Sequence, residues 1–334
     1  MNTLFQLDGY HGDNPSDAPR TDIRRARIGV SSRLTNSFTA TAGFEYGSGE
    51  IVWENAFLAW TPQPHLSLFA GHIEAPLSFE DETSDSAATF LERASLNSLT
   101  FGRSLGFGAR WADDYIRFET SVTGEPGTNS AFGDDKALRL AVRTDIFDMN
   151  GDSGWFLGAS YGHEERGLAQ PVISALGAEL APLESRAVPA GLYFDQSRYR
   201  GVEAFVQTGP VSISGEYAAR NFNMNGTMSA RQDAAYIKIA WFLTGEMHQR
   251  DMMEGRLIGI TPLSRFGAVE AAARISQSHL RVPVLETRTS YTLGLNWYLG
   301  RRDRLMLNLV HDAPDYGPSE TSIGLRWQMA ITLF

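Results

Sequence analysis

The chain has 334 residues, a net charge of −10, 43% hydrophobic and 11% aromatic residues and no cysteine. That apolar share is too high for a disordered chain, no run approaches the ~18 consecutive apolar residues of a membrane helix, and disulfide scaffolds, thiol catalysis and thiolate-bound zinc are excluded. The acidic total, with no basic tail, also argues against a nucleic-acid partner, whose phosphates would have to be neutralised. Of the 29 basic residues, 27 are Arg and two, Lys136 and Lys238, are Lys. A GC-rich genome and selection for planar anion-binding forks both explain that bias. Residues 1–4 carry neither a charged nor an apolar leader, so the chain is expected to be cytosolic or a mature exported chain whose signal has been removed.

Taken in chain order, the elements read as strands. Apolar side chains fall on alternate positions at Phe38, Ala40, Ala42, Phe44 and Tyr46, then at Leu105, Phe107, Ala109 and Trp111, and at Ile116, Phe118, Thr120 and Val122. The same two-residue period returns at Trp155, Leu157, Ala159 and Tyr161, at Ala235, Ile237, Ile239, Trp241 and Leu243, at Tyr291 to Leu299, and at Ile323 to Leu333. Almost nothing reads as helix. The runs predict about 16 strands, starting near residues 3, 21, 36, 50, 66, 103, 114, 136, 153, 198, 210, 230, 264, 287, 303 and 319.

Tight-turn chemistry at residues 35–36, 62–65, 113–114, 150–152, 209–210 and 300–303 alternates with longer polar stretches at roughly 11–20, 75–101, 124–136, 164–197 and 220–230. Short turns at one end and long loops at the other are the build of a transmembrane antiparallel β-barrel, here one domain over residues 1–334. A soluble sandwich or propeller is the alternative. It would turn a face of mixed charge to water. Here small residues, Arg and Glu oppose the apolar stripes, and aromatics recur near strand ends at Trp60, Trp111, Tyr161, Trp241 and Trp297, as in an interfacial girdle. The last residue, Phe334, is the terminal aromatic that outer-membrane assembly favours, although it is out of phase with Ile331 and Leu333.

Several strings occur together and in order: Arg24 to Gly29 (RRARIG), Thr89 to Ala94 (TFLERA), Phe101 to Arg103 (FGR), Phe242 to Glu246 (FLTGE), Ala268 to Ser276 (AVEAAARIS), Gly294 to Leu299 (GLNWYL) and Arg326 to Gln328 (RWQ). This set resembles the phosphate-selective porin O and P family across nearly the whole chain. The resemblance implies a 16-stranded outer-membrane porin, a homotrimer, with the third external loop (75–101) folded inward as the constriction. It also implies that the segment from Glu246 to Ser264 folds into the pore from below. Phosphate-selecting members carry a basic residue just before the TFLERA string. This chain has Glu80, Asp81, Glu82 and Asp85 there, and with Glu92 against Arg93 the loop is net negative by four, so high-affinity phosphate selection is not expected.

Strand parity assigns faces without the family. With Ala26, Ile28 and Val30 on lipid, Arg25, Arg27 and Arg33 face the lumen, and the same parity turns Arg110, Arg117, Arg139, Arg143, Lys238, Arg274 and Arg326 inward with Glu45, Glu119, Glu203, Glu216 and Glu270. A charge on the lipid face costs roughly 2–4 kcal/mol near the midplane. Ten bases against five acids, facing an acidic loop, predict a transverse field that orients small polar solutes. The plainer reading is that these residues pair across strands. The acid run lacks the Gly and closing Glu of a calcium loop, so no metal and no cofactor is expected. No hydrolase, phosphate-loop or dinucleotide motif is present, and catalysis would need Ser, His and an acid to converge in space. The expected function is passive diffusion of small polar solutes and ions, with a weak anion preference and outer-membrane lipids as surroundings. A specific phosphate or polyphosphate channel is one alternative, and a structural or adhesive barrel using residues 164–197 is another.

Overall fold

In the computed structural model, which describes residues 1–13, 19–47, 49–124, 137–171, 193–224, 228–282 and 284–332, sixteen strands close into one antiparallel barrel. The first eight are β1 (Asn2–Gly12), β2 (Arg20–Arg33), β3 (Phe38–Gly47), β4 (Glu50–Gln63), β5 (Leu66–Glu74), β6 (Arg103–Ala112), β7 (Ile116–Thr123) and β8 (Ala137–Asn150). They are followed by β9 (Ser153–Pro171), β10 (Tyr193–Thr208), β11 (Val211–Met224) and β12 (Met228–Phe242). A separate hairpin of β13 (Gln249–Asp251) and β14 (Arg256–Ile258) precedes the last four barrel strands, β15 (Ala268–Val282), β16 (Val284–Tyr298), β17 (Asp303–Pro314) and β18 (Glu320–Thr332). Each barrel strand pairs with its chain neighbours, β12 pairs with β15, and β18 closes the ring on β1 with Arg326 opposite Asp8. The predicted starts fall close to these bounds. The widest differences are at β10 and β15, predicted near 198 and 264.

Burial is inverted relative to a water-soluble protein. Arg117, Arg143, Arg304 and Arg326 are among the largest fully buried side chains, whereas Phe107, Leu293, Val202 and Ile237 are more than half exposed. Successive side chains of a strand point to opposite faces, so one parity builds a charged interior and the other an apolar outer band for lipid. Trp111, Trp241 and Trp297 are exposed and stand next to the last residues of β6, β12 and β16, all at the same rim. Trp60, three residues before the end of β4, belongs with them, but Tyr161 lies mid-strand in β9 because that strand runs on to Pro171, so four of the five expected aromatics form the girdle.

All six predicted tight turns lie at that rim, and the strand ends that flank the five predicted long stretches lie at the other. Two of the long stretches are shorter than expected. β9 and β10 keep pairing as far as Pro171 and Tyr193, and β11 and β12 as far as Met224 and Met228. Beyond the lipid both faces of a hairpin are wet, so polarity stops alternating while the hydrogen-bond ladder continues. Residues 125–136, 172–192 and Phe334 lie outside the described residues. Among the described residues, helical structure is confined to one turn, α1 (Phe79–Glu82), and a short 3₁₀ segment, Ser95–Leu99, both between β5 and β6.

Candidate functional site

The segment 75–101 owes its shape to its own side chains and its position to the barrel wall. Ser78 caps α1 by accepting from the Asp81 amide at 3.2 Å, and the Thr83 hydroxyl donates to the Phe79 carbonyl at 2.8 Å. The amides of Phe79 and Glu80 donate to carboxylates of the wall, to Glu203 at 3.0 Å and to Glu216 at 2.8 Å. Leu77 accepts from Ser160 at 2.7 Å and Tyr199 at 3.0 Å, and the Phe79 ring packs edge-on against Phe156 at 4.8 Å. The other arm is bonded to the far strands: Asn296 donates to the Thr89 carbonyl at 2.9 Å, Arg304 to Ala88 at 2.7 Å, Arg326 to Leu91 at 2.6 Å and Gln328 to Ser86 at 3.0 Å. At the tip, Asp85 meets Arg25 at 2.6 Å, Arg27 at 2.7 Å and Arg93 at 3.2 Å. The segment is thus bonded to strands on opposite sides of the ring.

Nine of the ten predicted wall bases are at this core of charges. Arg25 and Arg27 share Asp85 and Glu45. Arg110 holds Glu119 with two bonds of 2.8 and 2.9 Å. Arg117 meets Glu82 and Asp145, each at 3.1 Å, and Glu119. Arg143 meets Glu82 at 2.5 Å, Glu203 at 2.6 Å and Asp145 at 3.2 Å. Arg139 pairs with Glu164 at 2.8 Å, Arg274 with Glu80 at 3.2 Å, and Arg326 with Asp8 at 2.6 Å and Glu92 at 3.3 Å. Lys238 is buried with its ammonium 5.9 Å from the Tyr236 ring centroid. Arg33 is the exception: it ends β2 in an exposed position, away from these contacts.

The predicted separation of a basic wall from an acidic loop does not describe this interior. Most charges of loop and wall are neutralised pair by pair, because a buried guanidinium without a partner is costly. The parity count was also incomplete. Asp8, Asp145 and Arg304 follow the same alternation and were legible from it; Glu164 follows it too, but in a part of β9 that reads as loop. Arg24 was not: a bulge opposite Gln6 and Leu7 turns it inward beside Arg25, where it bonds Glu92 at 2.8 and 2.9 Å. Glu54, Glu74 and Arg103 form a further cluster, with Arg103 at 3.0 Å from Glu54 and 2.8 Å from Glu74.

Three titrations within the segment follow from this. Burial alone would raise the Asp85 carboxyl, but Arg93, Arg25 and Arg27 outweigh it and hold it well below the usual carboxylate range. Burial acts in the same sense on Glu92, and the hydrogen bond and charge of Arg24 with the charge of Arg326 bring it down to about 2. For Glu82 burial prevails over Arg143 and Arg117, and its carboxyl is raised. Among the described residues no group of three His, Asp or Glu is placed to hold a metal. Of the acid run, Glu80, Glu82 and Asp85 are bonded to arginines instead.

Space remains between the segment and the wall of β2–β5. A cavity of about 140 Å³ is lined there by Arg27, Arg93, Arg103 and, from β14, Arg256, together with Glu54, Glu74, Asp81, Glu82 and Asp85. From the tight-turn rim, the hairpin of β13 and β14 reaches the same charges: Arg117 donates to the Met253 carbonyl at 3.1 Å, and Arg250 lies 3.9 Å over Phe156 and 3.2 Å from Asp145. Gly255 has φ +65, and a Cβ there would stand 2.7 Å from the Arg117 guanidinium, so the close approach needs glycine.

The family model for phosphate-selective porin O and P matches residues 3–161 and 174–325. The chain belongs to that family. As an outer-membrane porin it also shares its fold with solved barrels of low identity. The loop L8 deletion mutant of OmpT from Vibrio cholerae is 12% identical, with 99% of this chain and 98% of that chain covered at a TM-score of 0.67. The anion-selective porin from Comamonas acidovorans is 11% identical, with 99% and 98% covered at 0.61, and the channel DcaP of Acinetobacter baumannii 9% identical, with 99% and 96% covered at 0.60. No curated protein sequence matches the chain.

One convergence in this porin lay beyond sequence reading. Ser212 on β11 meets His248 Nδ1 at 3.1 Å, and His248 Nε2 meets Glu270 on β15 at 3.1 Å. All three are buried, and the His248 ring packs edge-on against Phe242 at 5.0 Å. The contacts fasten the connection between β12 and β15 to the wall.

Proposed function

We propose that this porin is a passive channel for small polar solutes and ions with a weak preference for anions, its constriction set by segment 75–101 folded against the wall of β2–β5. The supporting observation is how the two signs are exposed around the 140 Å³ cavity. The side chains of Arg103, Arg93 and Arg27 are 29%, 20% and 18% accessible, against 9% for Asp85 and Glu82 and 10% for Glu54, with Glu74 at 21%. Carboxylates sheathed by guanidiniums offer little to a passing cation, while a guanidinium fork has five donors and keeps some for a passing anion.

High-affinity phosphate selection finds less support. Arg93, the one base of the segment, already spends four of its five donors, on the carbonyls of Glu80, Asp81 and Thr83 at 3.0, 3.1 and 2.8 Å and on Asp85. A homotrimer is the proposed assembly, since the trimer form of OmpT from Vibrio cholerae shares the fold at 11% identity, with 99% of this chain and 98% of that chain covered and a TM-score of 0.66. The Ser212, His248 and Glu270 contacts serve as a latch, and the chain is proposed to have no catalytic activity.

Planar-bilayer recording tests the reading. Stepwise conductance is expected, with a reversal potential on the anion side by several millivolts of the ~59 mV that ideal selectivity gives in a tenfold salt gradient. Arg27→Gln and Arg103→Gln should move it towards zero, and Arg33→Gln should leave it where it is. A barrel without steps is a scaffold. Block by micromolar phosphate would restore the phosphate-channel alternative.

A further inference from the structure

We infer that the constriction selects for small zwitterions of amino-acid size, a solute class that rests on the channel reading above. The inference starts from Asp81. Asp81 is one of the residues lining the cavity, it is 6% exposed, and its Oδ2 is buried without a hydrogen-bond partner. Among the described residues it forms no ion pair, unlike Glu80, Glu82, Asp85 and Glu92 of the same segment. Its backbone is committed, the amide to Ser78 and the carbonyl to Arg93, so the side chain is held in place, with Arg93 and Arg103 near enough to attract it and neither ion-paired with it. A buried acceptor left in that state is costly and calls for a donor from the passage.

The same cavity supplies the opposite charge. Arg103 directs Nη2 to Glu74 at 2.8 Å and Glu54 at 3.0 Å and Nε towards Asn55 at 3.4 Å. Its Nη1 is left for a solute, and its side chain is more accessible than those of Arg27 and Arg93; the cavity's fourth guanidinium, Arg256, is more accessible still and is paired with Glu254. An inorganic cation attracted by Asp81 must approach the guanidiniums of Arg103 and Arg93, and an inorganic anion attracted by Arg103 must approach Asp81 and Glu74. A solute carrying ammonium and carboxylate on one small frame meets both without net charge, the ammonium on Asp81 and the carboxylate on Arg103. The binding is weak by construction, as passage requires, because the solute must leave as readily as it enters.

Alanine and lactamide separate charge from size, being isomers of which only alanine is zwitterionic at neutral pH. In liposomes carrying the refolded porin, swelling in alanine is expected to be roughly two to five times faster than in lactamide, the ratio that one partly exposed ion pair supports. Asp81→Asn should bring the ratio close to one, and Arg103→Gln should do so independently if the first variant fails to fold. Equal wild-type rates would overturn the zwitterion inference while the swelling itself upholds the channel. A ratio that survives both substitutions would overturn the assignment to this cavity, and no swelling in either solute would defeat the channel reading together with it.

Discussion

Replacing Asp85 by Asn tests whether segment 75–101 is pinned to the wall of β2. The native carboxylate meets three guanidiniums, Arg25 at 2.6 Å, Arg27 at 2.7 Å and Arg93 at 3.2 Å. Charge-assisted hydrogen bonds are worth about 1.5–3 kcal/mol when buried and about 0–1 at the surface, and these partners are partly accessible, so about 1 kcal/mol apiece is appropriate. Asn keeps one acceptor oxygen, which leaves a loss of about 2 kcal/mol, or about 30-fold in the population of a detached tip. The expected record is a noisier open channel and a reversal potential moved further to the anion side, since one negative charge is removed while the guanidiniums stay. Acid should reproduce it late. A depressed carboxyl stabilises the pinned state above the unfolded pKa and loses that contribution as pH falls through the folded one. Asp85 lies well below the usual range and Glu92 at about 2, so noise should stay constant from pH 7 to about 4 and rise only in stronger acid. A folded variant, heat-modifiable on a gel, with native noise and native reversal potential would refute the pin.

Three further outcomes are expected. Leu293 is 59% exposed on the outer face, so Leu293→Arg should lower the free energy of folding into bilayers by about 2–4 kcal/mol, read as the urea midpoint; an unchanged midpoint would contradict the face assignment. Arg250→Ala removes the cation stacked on Phe156 and paired with Asp145, a loss of about 2 kcal/mol that should free the hairpin of β13 and β14 and raise conductance. Native conductance in that variant would mean that the hairpin does not narrow the passage. Ester hydrolysis by the purified porin should equal the buffer blank, and turnover abolished by Ser212→Ala would turn the latch into a catalytic site.

The strands were legible because the barrel imposes one simple rule on every one of them. Lipid outside and water or protein inside make the two-residue period strong at Tyr291 to Leu299 and Ile323 to Thr332, and the strands were placed from that alone. The rule weakens where its physical cause ends. The outer halves of β9 to β12 project beyond the lipid, and their residues read as loop although they are paired. Bulges defeat it too, since one extra residue turns Arg24 to the face that parity assigns to its neighbours. The hairpin of β13 and β14 has strands of three residues each, too short for any period to show.

Partners are a different kind of information from faces. Parity says that Arg326 points inward, but its bonds to Asp8 join residues 318 positions apart, brought together only when β18 closes on β1. Asn296 reaches Thr89 across 207 positions, because segment 75–101 is bonded to strands on opposite sides of the ring. The net charge of −10 is therefore a poor guide to selectivity. Most interior charges cancel within a few ångströms, and exposed acids elsewhere on the chain act on an ion only through salt-screened distance. What is left to a permeating solute is the small remainder: the donors that Arg103 does not use and the one acid of the segment, Asp81, that no arginine covers. Selectivity in such a barrel is set by which pairs are left incomplete, and single substitutions at those two positions should change it more than any change in the chain's total charge.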